Sequence, residues 1–397
     1  MNAIFPQRSM SGAGRRAPGD RKRPMAGVDW RARAWIGGMD MLGWPSLPHR
    51  SIQEARSDFR FLVRATSAWQ PVRSVGEAVV ASPHADIPIR IYVPLSGASP
   101  RPLLVWFHGG GFTVGDIETA DPTCRSLANR SGAVVVSVDY RLAPEHGCLD
   151  AVHDAYAATQ WAIRNAASLG CDPGRVAIGG DSAGATLSAL VCLGCRDNNE
   201  PSPALQVLVY PCTDCTMAFC DRGVEGPLLD WSTIDWFGEQ CFGERGSRLD
   251  PADPRISPYR AKDHSRLPPA LVLTAGADLL CHDGEAYVER LRAAGNAVTY
   301  HRFEGQVHGF FSMDLVFGDA RRAHRLVARA MTDLPRRSMS AAAPMPNGLP
   351  VTWINPIQRA ATMAVELALR APLLVAVQFL STVGTHRMSG GGNSRTH

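Results

Sequence analysis

Short apolar runs alternate along this chain with longer stretches in which apolar residues recur every three or four positions. The runs are Pro102 to Phe107, Ala133 to Val138, Arg175 to Gly179, Leu205 to Tyr210, Ala270 to Thr274 and Val298 to Phe303. Each has the length and density of a buried strand. Helical spacing appears between them, over Thr123 to Arg130, Asp150 to Asn165, Ala183 to Cys195, Gly284 to Ala294 and about Asp319 to Leu334. In the second of these stretches Val152, Ala155, Tyr156, Thr159 and Ile163 share one side. Two earlier segments, Val75 to Ala81 and Ile87 to Val93, alternate apolar and polar residues around the turn His84-Ala85-Asp86, the pattern of an antiparallel hairpin. Strands alternating with helices predict an α/β fold, with a mostly parallel sheet covered on both faces.

Three regions depart from that rhythm. From Val28 to Ala68, Trp, Ile, Met and Leu mix with Arg and Asp in patterns that suit short amphipathic helices. Residues 213–262 carry Gly, Pro and Asp clusters around one aromatic helical piece, Trp231 to Phe242, and an insertion of that size between core strands commonly covers a site. Its Trp231, Trp236, Phe237 and Phe242 suit either the wall of an apolar pocket or the core of a small cap. The third region is the end of the chain. Pro335 to Pro350 reads as a linker, and Ile357 to Val383 is an apolar stretch interrupted by Glu366 and Arg370. Each charge costs about 2.5–3.5 kcal/mol at a bilayer centre. The stretch therefore reads as an amphipathic helix with Met363, Leu367, Leu374 and Val377 in a stripe, docking on the domain, a second subunit or a membrane surface. The division expected is a leader over 1–27, a catalytic-size domain over 28–335 and a linker, helix and disordered end over 336–397.

Charge and cysteine usage narrow the setting. The chain has 397 residues and a net charge of +4, with the basic excess concentrated at Arg15, Arg16, Arg21, Lys22 and Arg23 among Gly, Ser and Pro. This composition reads as a disordered leader rather than an arm for nucleic acid. No apolar h-region follows it, so no signal peptide is expected, and ten cysteines without an export signal point to free thiols in the cytoplasm. Cys192-x-x-Cys195 and Cys212-x-x-Cys215 have zinc-ribbon spacing. The first pair falls within a helical stretch and lacks the turn residues of a knuckle, so small buried hydrophobes are the preferred reading and no metal is expected.

The chemistry converges on Gly180-Asp181-Ser182-Ala183-Gly184, a G-x-S-x-G pentapeptide between a strand and a helix. A serine on so sharp a turn is strained, with glycine required two residues to either side, and the helix that follows aims backbone N–H groups at its hydroxyl. A serine becomes nucleophilic when a histidine, oriented by a carboxylate, takes its proton. The carboxylate candidate is Asp278, just past a strand, with Asp283 as competitor at a helix start where N-capping accounts for it. The base candidate is His308, in the loop after the last strand; His301 lies within that strand and His282 is too near Asp278. Ala183 N–H and the N–H groups of Gly110 and Gly111, in His108-Gly109-Gly110-Gly111, are candidates for an oxyanion site.

Together these residues resemble the bacterial hormone-sensitive lipase-like (family IV) esterases of the α/β-hydrolase superfamily. The resemblance covers about residues 75–335 and rests on His108 to Gly111, Asp139 to His146, Gly180 to Gly184, Ala275 to Asp278 and His308-Gly309-Phe310. It implies an eight-stranded sheet and a cap built from residues 28–68 and 213–262. It also implies hydrolysis of short- to medium-chain acyl esters without a cofactor, an oxyanion hole at Gly110, Gly111 and Ala183, and His108 and Gly109 as loop-shaping residues. An amidase or deacetylase would keep the same triad. A non-catalytic small-molecule-binding protein on this fold is the other alternative, disfavoured by the presence of His308. The chain departs from the family at Gly147-Cys148-Leu149 and over Leu279 to Asp283.

Overall fold

The computed structural model describes residues 25, 27–44, 46–243, 249–335 and 351–354. Nearly all of the expected leader, the linker over 336–350 and the helix over 357–383 lie outside the described residues. In chain order the elements are α1 (Trp30–Met41), α2 (Ile52–Thr66), β1 (Ser74–Ala81), β2 (Asp86–Val93), β3 (Arg101–Phe107), α3 (Ile117–Ser131), β4 (Val134–Val138), α4 (Cys148–Asn165) and β5 (Cys171–Asp181). They continue with α5 (Ala183–Asp197), β6 (Leu205–Val209), α6 (Trp231–Phe242), β7 (Ala270–Ala275), α7 (Cys281–Ala293), β8 (Val298–Phe303), α8 (Gly318–Thr332) and β9 (Thr352–Ile354).

One sheet organises them, in the order β8-β7-β6-β5-β3-β4-β2-β1-β9. From β4 to β8 every neighbouring pair is parallel, whereas β2 pairs antiparallel with β4 and with β1. The central strands are buried on both faces, which is why they read as continuous apolar runs. On β3, Leu103, Val105 and Phe107 belong to the core layer that also takes in α4, α5 and α7, while Leu104 and Trp106 belong to the layer that takes in α1, α3 and α8.

Two expectations are corrected. The sheet has nine strands rather than eight. The extra strand, β9, comes from the region expected to stand apart from the domain; it pairs antiparallel with β1 and sets Trp353 opposite Gly76. A Cβ on Gly76 would lie 2.5 Å from Val351 Cγ1 and 3.0 Å from the Trp353 ring, so this glycine makes room for both side chains of the segment that covers it. The second correction is the start of α3, which begins at Ile117 rather than Thr123. Asp116 caps it, accepting from Thr119 N–H at 2.8 Å while the Thr119 hydroxyl accepts from Asp116 N–H. Pro122 therefore lies inside the helix instead of marking its start.

Candidate active site

The turn after β5 is built as its sequence requires. Ser182 sits at φ 54° and ψ −120°, directly before the first residue of α5. A β-carbon on Gly180 or Gly184 would collide with the Phe107 carbonyl, so both flanking positions need glycine. Ser182 N–H donates to Val209 O at 2.9 Å, which ties the strained residue to the end of β6.

Two further loops reach the same point. Gly276 N–H donates to Phe303 O at 2.8 Å and Ala277 N–H to Gln306 O at 2.9 Å, stitching the loop after β7 to the loop after β8. That stitching brings together Asp278 and His308. His308 Nδ1 lies 2.7 Å from Asp278 Oδ2, and His308 Nε2 lies 2.9 Å from Ser182 Oγ. The Asp278 side chain is fully buried, and its other oxygen accepts from Leu280 N–H at 3.0 Å. The contiguous hydrogen bonds from carboxylate to imidazole to hydroxyl have the geometry of a nucleophile, its base and the group that orients the base.

The competing residues lie elsewhere. His282 is on the surface, 2.9 Å from Glu285. His301 lies within β8. Asp283 is buried, and its expected role as an N-cap is wrong. Its carboxylate turns inward and accepts from Thr213 N–H, from the Thr213 hydroxyl at 3.0 Å and from Asp214 N–H at 3.1 Å. Burial pushes its pKa up to about 7.

The glycine loop lies across from Ser182. Gly110 and Gly111, at φ 123° and 56°, line one cavity with Ser182, Ala183 and His308. His108 is buried beneath the loop. Its ring stacks on Tyr140 at 4.3 Å, and Tyr140 OH donates to His108 O at 2.7 Å. Gly109 packs against Asp181, to whose Oδ1 it donates its N–H at 3.2 Å. Burial raises the Asp181 pKa to about 6, opposed by His108 and His308.

The cavity measures ≈ 270 Å³. Met39, Trp44, Phe59 and Leu62 come to it from the first irregular region, and Phe237 and Phe242 from the second. Of the four aromatic residues weighed from sequence, these last two line the cavity; Trp231 packs with Ile234 and Leu279, and Trp236 with Ala55 and Val114. Sequence reasoning missed Tyr210, whose ring packs on His308 at 4.7 Å and whose hydroxyl lies 3.5 Å from Asp181 Oδ2. Its place at the C-terminal end of β6 was the available signal. Among the described residues no group of three or more His, Cys, Asp or Glu is arranged to hold a metal ion. All ten cysteines are free thiols; Cys192 and Cys195 are buried within α5. No helix among the described residues is long and apolar enough to cross a membrane.

Comparison with known proteins bears on this arrangement. A family model described as alpha/beta hydrolase fold matches residues 104–312. The chain is 43% identical over 293 residues to the carboxylic ester hydrolase LipN of Mycobacterium tuberculosis, covering 72% of this chain and 77% of that protein. It is 36% identical to an arylesterase of Saccharolobus solfataricus, covering 65% and 84% of the two chains. Among solved structures, an ester hydrolase from the metagenome of Lake Arreo, in complex with a bipyridine phosphonate derivative, superposes with a TM-score of 0.71 at 38% identity, covering 77% of this chain and 98% of that one. An esterase of Pyrobaculum calidifontis superposes with a TM-score of 0.70 at 33% identity, covering 78% and 100%. By family model, by sequence and by structure, the chain belongs to the hormone-sensitive lipase-like family of α/β-hydrolases.

Proposed function

We propose that this chain is a serine carboxylesterase that hydrolyses short- to medium-chain acyl esters through an acyl-enzyme intermediate. The observation that carries the reading is the unbroken set of hydrogen bonds Asp278–His308–Ser182, 2.7 and 2.9 Å long, opening on an apolar cavity. In this reading Ser182 Oγ attacks the ester carbonyl while His308 takes its proton, and the proton then passes to the leaving alcohol. Asp278 holds the imidazole in the tautomer with hydrogen on Nδ1 and stabilises the imidazolium that forms. Gly110, Gly111 and Ala183 donate N–H groups to the oxyanion, each donor worth about 2.7–4 kcal/mol in the transition state. Water then repeats the cycle on the acyl-enzyme.

Residues 28–68 and 213–262 act as the cap. The cavity of ≈ 270 Å³ lies near the small end of small-molecule sites, which run from about 300 to 1,000 Å³, and this supports small acyl groups. The free thiols support the cytoplasmic reading. Turnover of p-nitrophenyl acetate, butyrate and longer esters beside matched amides tests the assignment. The expected result is ester hydrolysis that peaks at or below about eight acyl carbons and disappears in Ser182→Ala. Faster turnover of amides would make the chain an amidase, and binding without turnover would make it a small-molecule-binding protein.

A further inference from the structure

The glycine loop is held from the cap side by one turn of α6. Phe237 and Cys241 are four residues apart and so share one face of that helix. The Phe237 ring lies against the α-carbon of Gly111, so that a β-carbon there would run into it. One turn later, the Cys241 thiol donates to Gly111 O at 3.5 Å. Thr113 Oγ1 donates to the same carbonyl from within the loop at 3.1 Å, so Cys241 is the donor that arrives from another element. Behind it, the Cys148 thiol, at the first residue of α4, lies 4.0 Å from Cys241 O. Contact with Cys241, together with burial, keeps the Cys148 pKa well above the ordinary thiol range, so it remains a proton-bearing donor. Two thiols thus join α4, α6 and the glycine loop in series.

This matters because glycine torsions are soft. Gly110 and Gly111 both have positive φ. Gly110 O accepts from Thr113 N–H at 3.0 Å and from Val114 N–H at 2.9 Å, which holds the peptide bearing the Gly111 N–H from inside the loop, and nothing within the loop holds the outer side of Gly111 except Thr113 Oγ1. Pinning the Gly111 α-carbon with a ring and its carbonyl with a thiol adds a hold from α6 on the outer side of that residue. We propose that Cys241 is a positioning residue for ester hydrolysis: with Phe237 it clamps Gly111, so that the seating of α6 sets the alignment of the oxyanion donors. The inference rests on the reading of Gly110, Gly111 and Ala183 as those donors. It makes the cap part of the catalytic alignment, so that a displaced α6 slows turnover of a substrate too small to touch it.

Three substitutions separate hydrogen bonding from packing. Cys241→Ser keeps a donor and loses volume, Cys241→Val keeps volume and loses the donor, and Cys241→Ala loses both. With p-nitrophenyl acetate, kcat should fall roughly ten-fold in the Val and Ala variants with KM within two-fold, as for a misaligned reacting group. The Ser variant should stay within about three-fold of wild type. A trifluoromethyl ketone, whose serine adduct carries an oxyanion, should weaken by the same factor as kcat, while the matched methyl ketone should not change. A Val variant at the wild-type rate, or a Ser variant as slow as Ala, would overturn the proposal. Melting curves show which variants fold; if neither Val nor Ala does, a ten-fold loss in the Ser variant still contradicts it. Wild-type protein that binds the two ketones equally would refute the oxyanion reading itself. Wild type that discriminates, beside variants that discriminate equally well, would refute only the role of Cys241.

Discussion

Asp278 and Asp283 are five residues apart, and their neighbours give them different work. Asp278 has one oxygen on His308 and the other on a backbone N–H. Asp283 holds the start of the segment that follows β6, through three donors of Thr213 and Asp214. Replacing Asp278 by Asn should lower kcat by about 10³–10⁴-fold and leave the melting temperature near wild type. Replacing Asp283 by Ala strands buried donors, which cost about 1–3 kcal/mol each, so stability should fall and kcat per folded molecule should change less than ten-fold. Steady-state kinetics beside thermal melting on both variants checks the contrast; the reverse pattern would exchange the two assignments. Asp278 was legible because it lies just past an apolar strand. The partners of Asp283 come from a segment 70 residues earlier, and no local pattern connects them.

Among the elements, the central strands and the elbow were readable because both leave a dense local trace: apolar runs bounded by glycine. The edge was not. β9 is three residues long and its neighbour in the sheet is β1, so neither periodicity nor sequence distance points to it. It covers a strand whose backbone donors and acceptors would otherwise face outward. Truncation after Pro335 should therefore leave kcat on a small soluble ester within about three-fold, because the elements that bear Ser182, Asp278 and His308 end before it. The melting temperature should fall measurably, by about 1–2 °C for each kcal/mol lost in a domain of about 300 residues. Trp353→Ala should show a smaller shift of the same sign. Differential scanning fluorimetry with matched kinetics decides; an unchanged melting temperature would mean that β9 adds nothing to the sheet.

At the scale of the whole molecule, the parallel sheet turns residues far apart in sequence into neighbours. Asp278 and His308 are 30 residues apart and His308 and Ser182 are 126, yet all three meet because each follows the C-terminal end of a strand. That rule, together with the motif residues, made the triad candidates legible. Which side chains from 28–68 and 213–262 would face the cavity was not legible, because irregular segments carry no period that assigns a face; Phe237 faces it and Trp236 beside it does not. Ser182, activated by His308, is the proposed nucleophile at the meeting point of these strand-end loops. That role is tested most directly by treating the full chain with a p-nitrophenyl alkylphosphonate and locating the adduct by peptide mass spectrometry. A single stoichiometric adduct is expected on Ser182, absent in Ser182→Ala and at least a hundred-fold slower to form in His308→Ala. A stoichiometric adduct on another residue, with ester hydrolysis intact in Ser182→Ala, would contradict it.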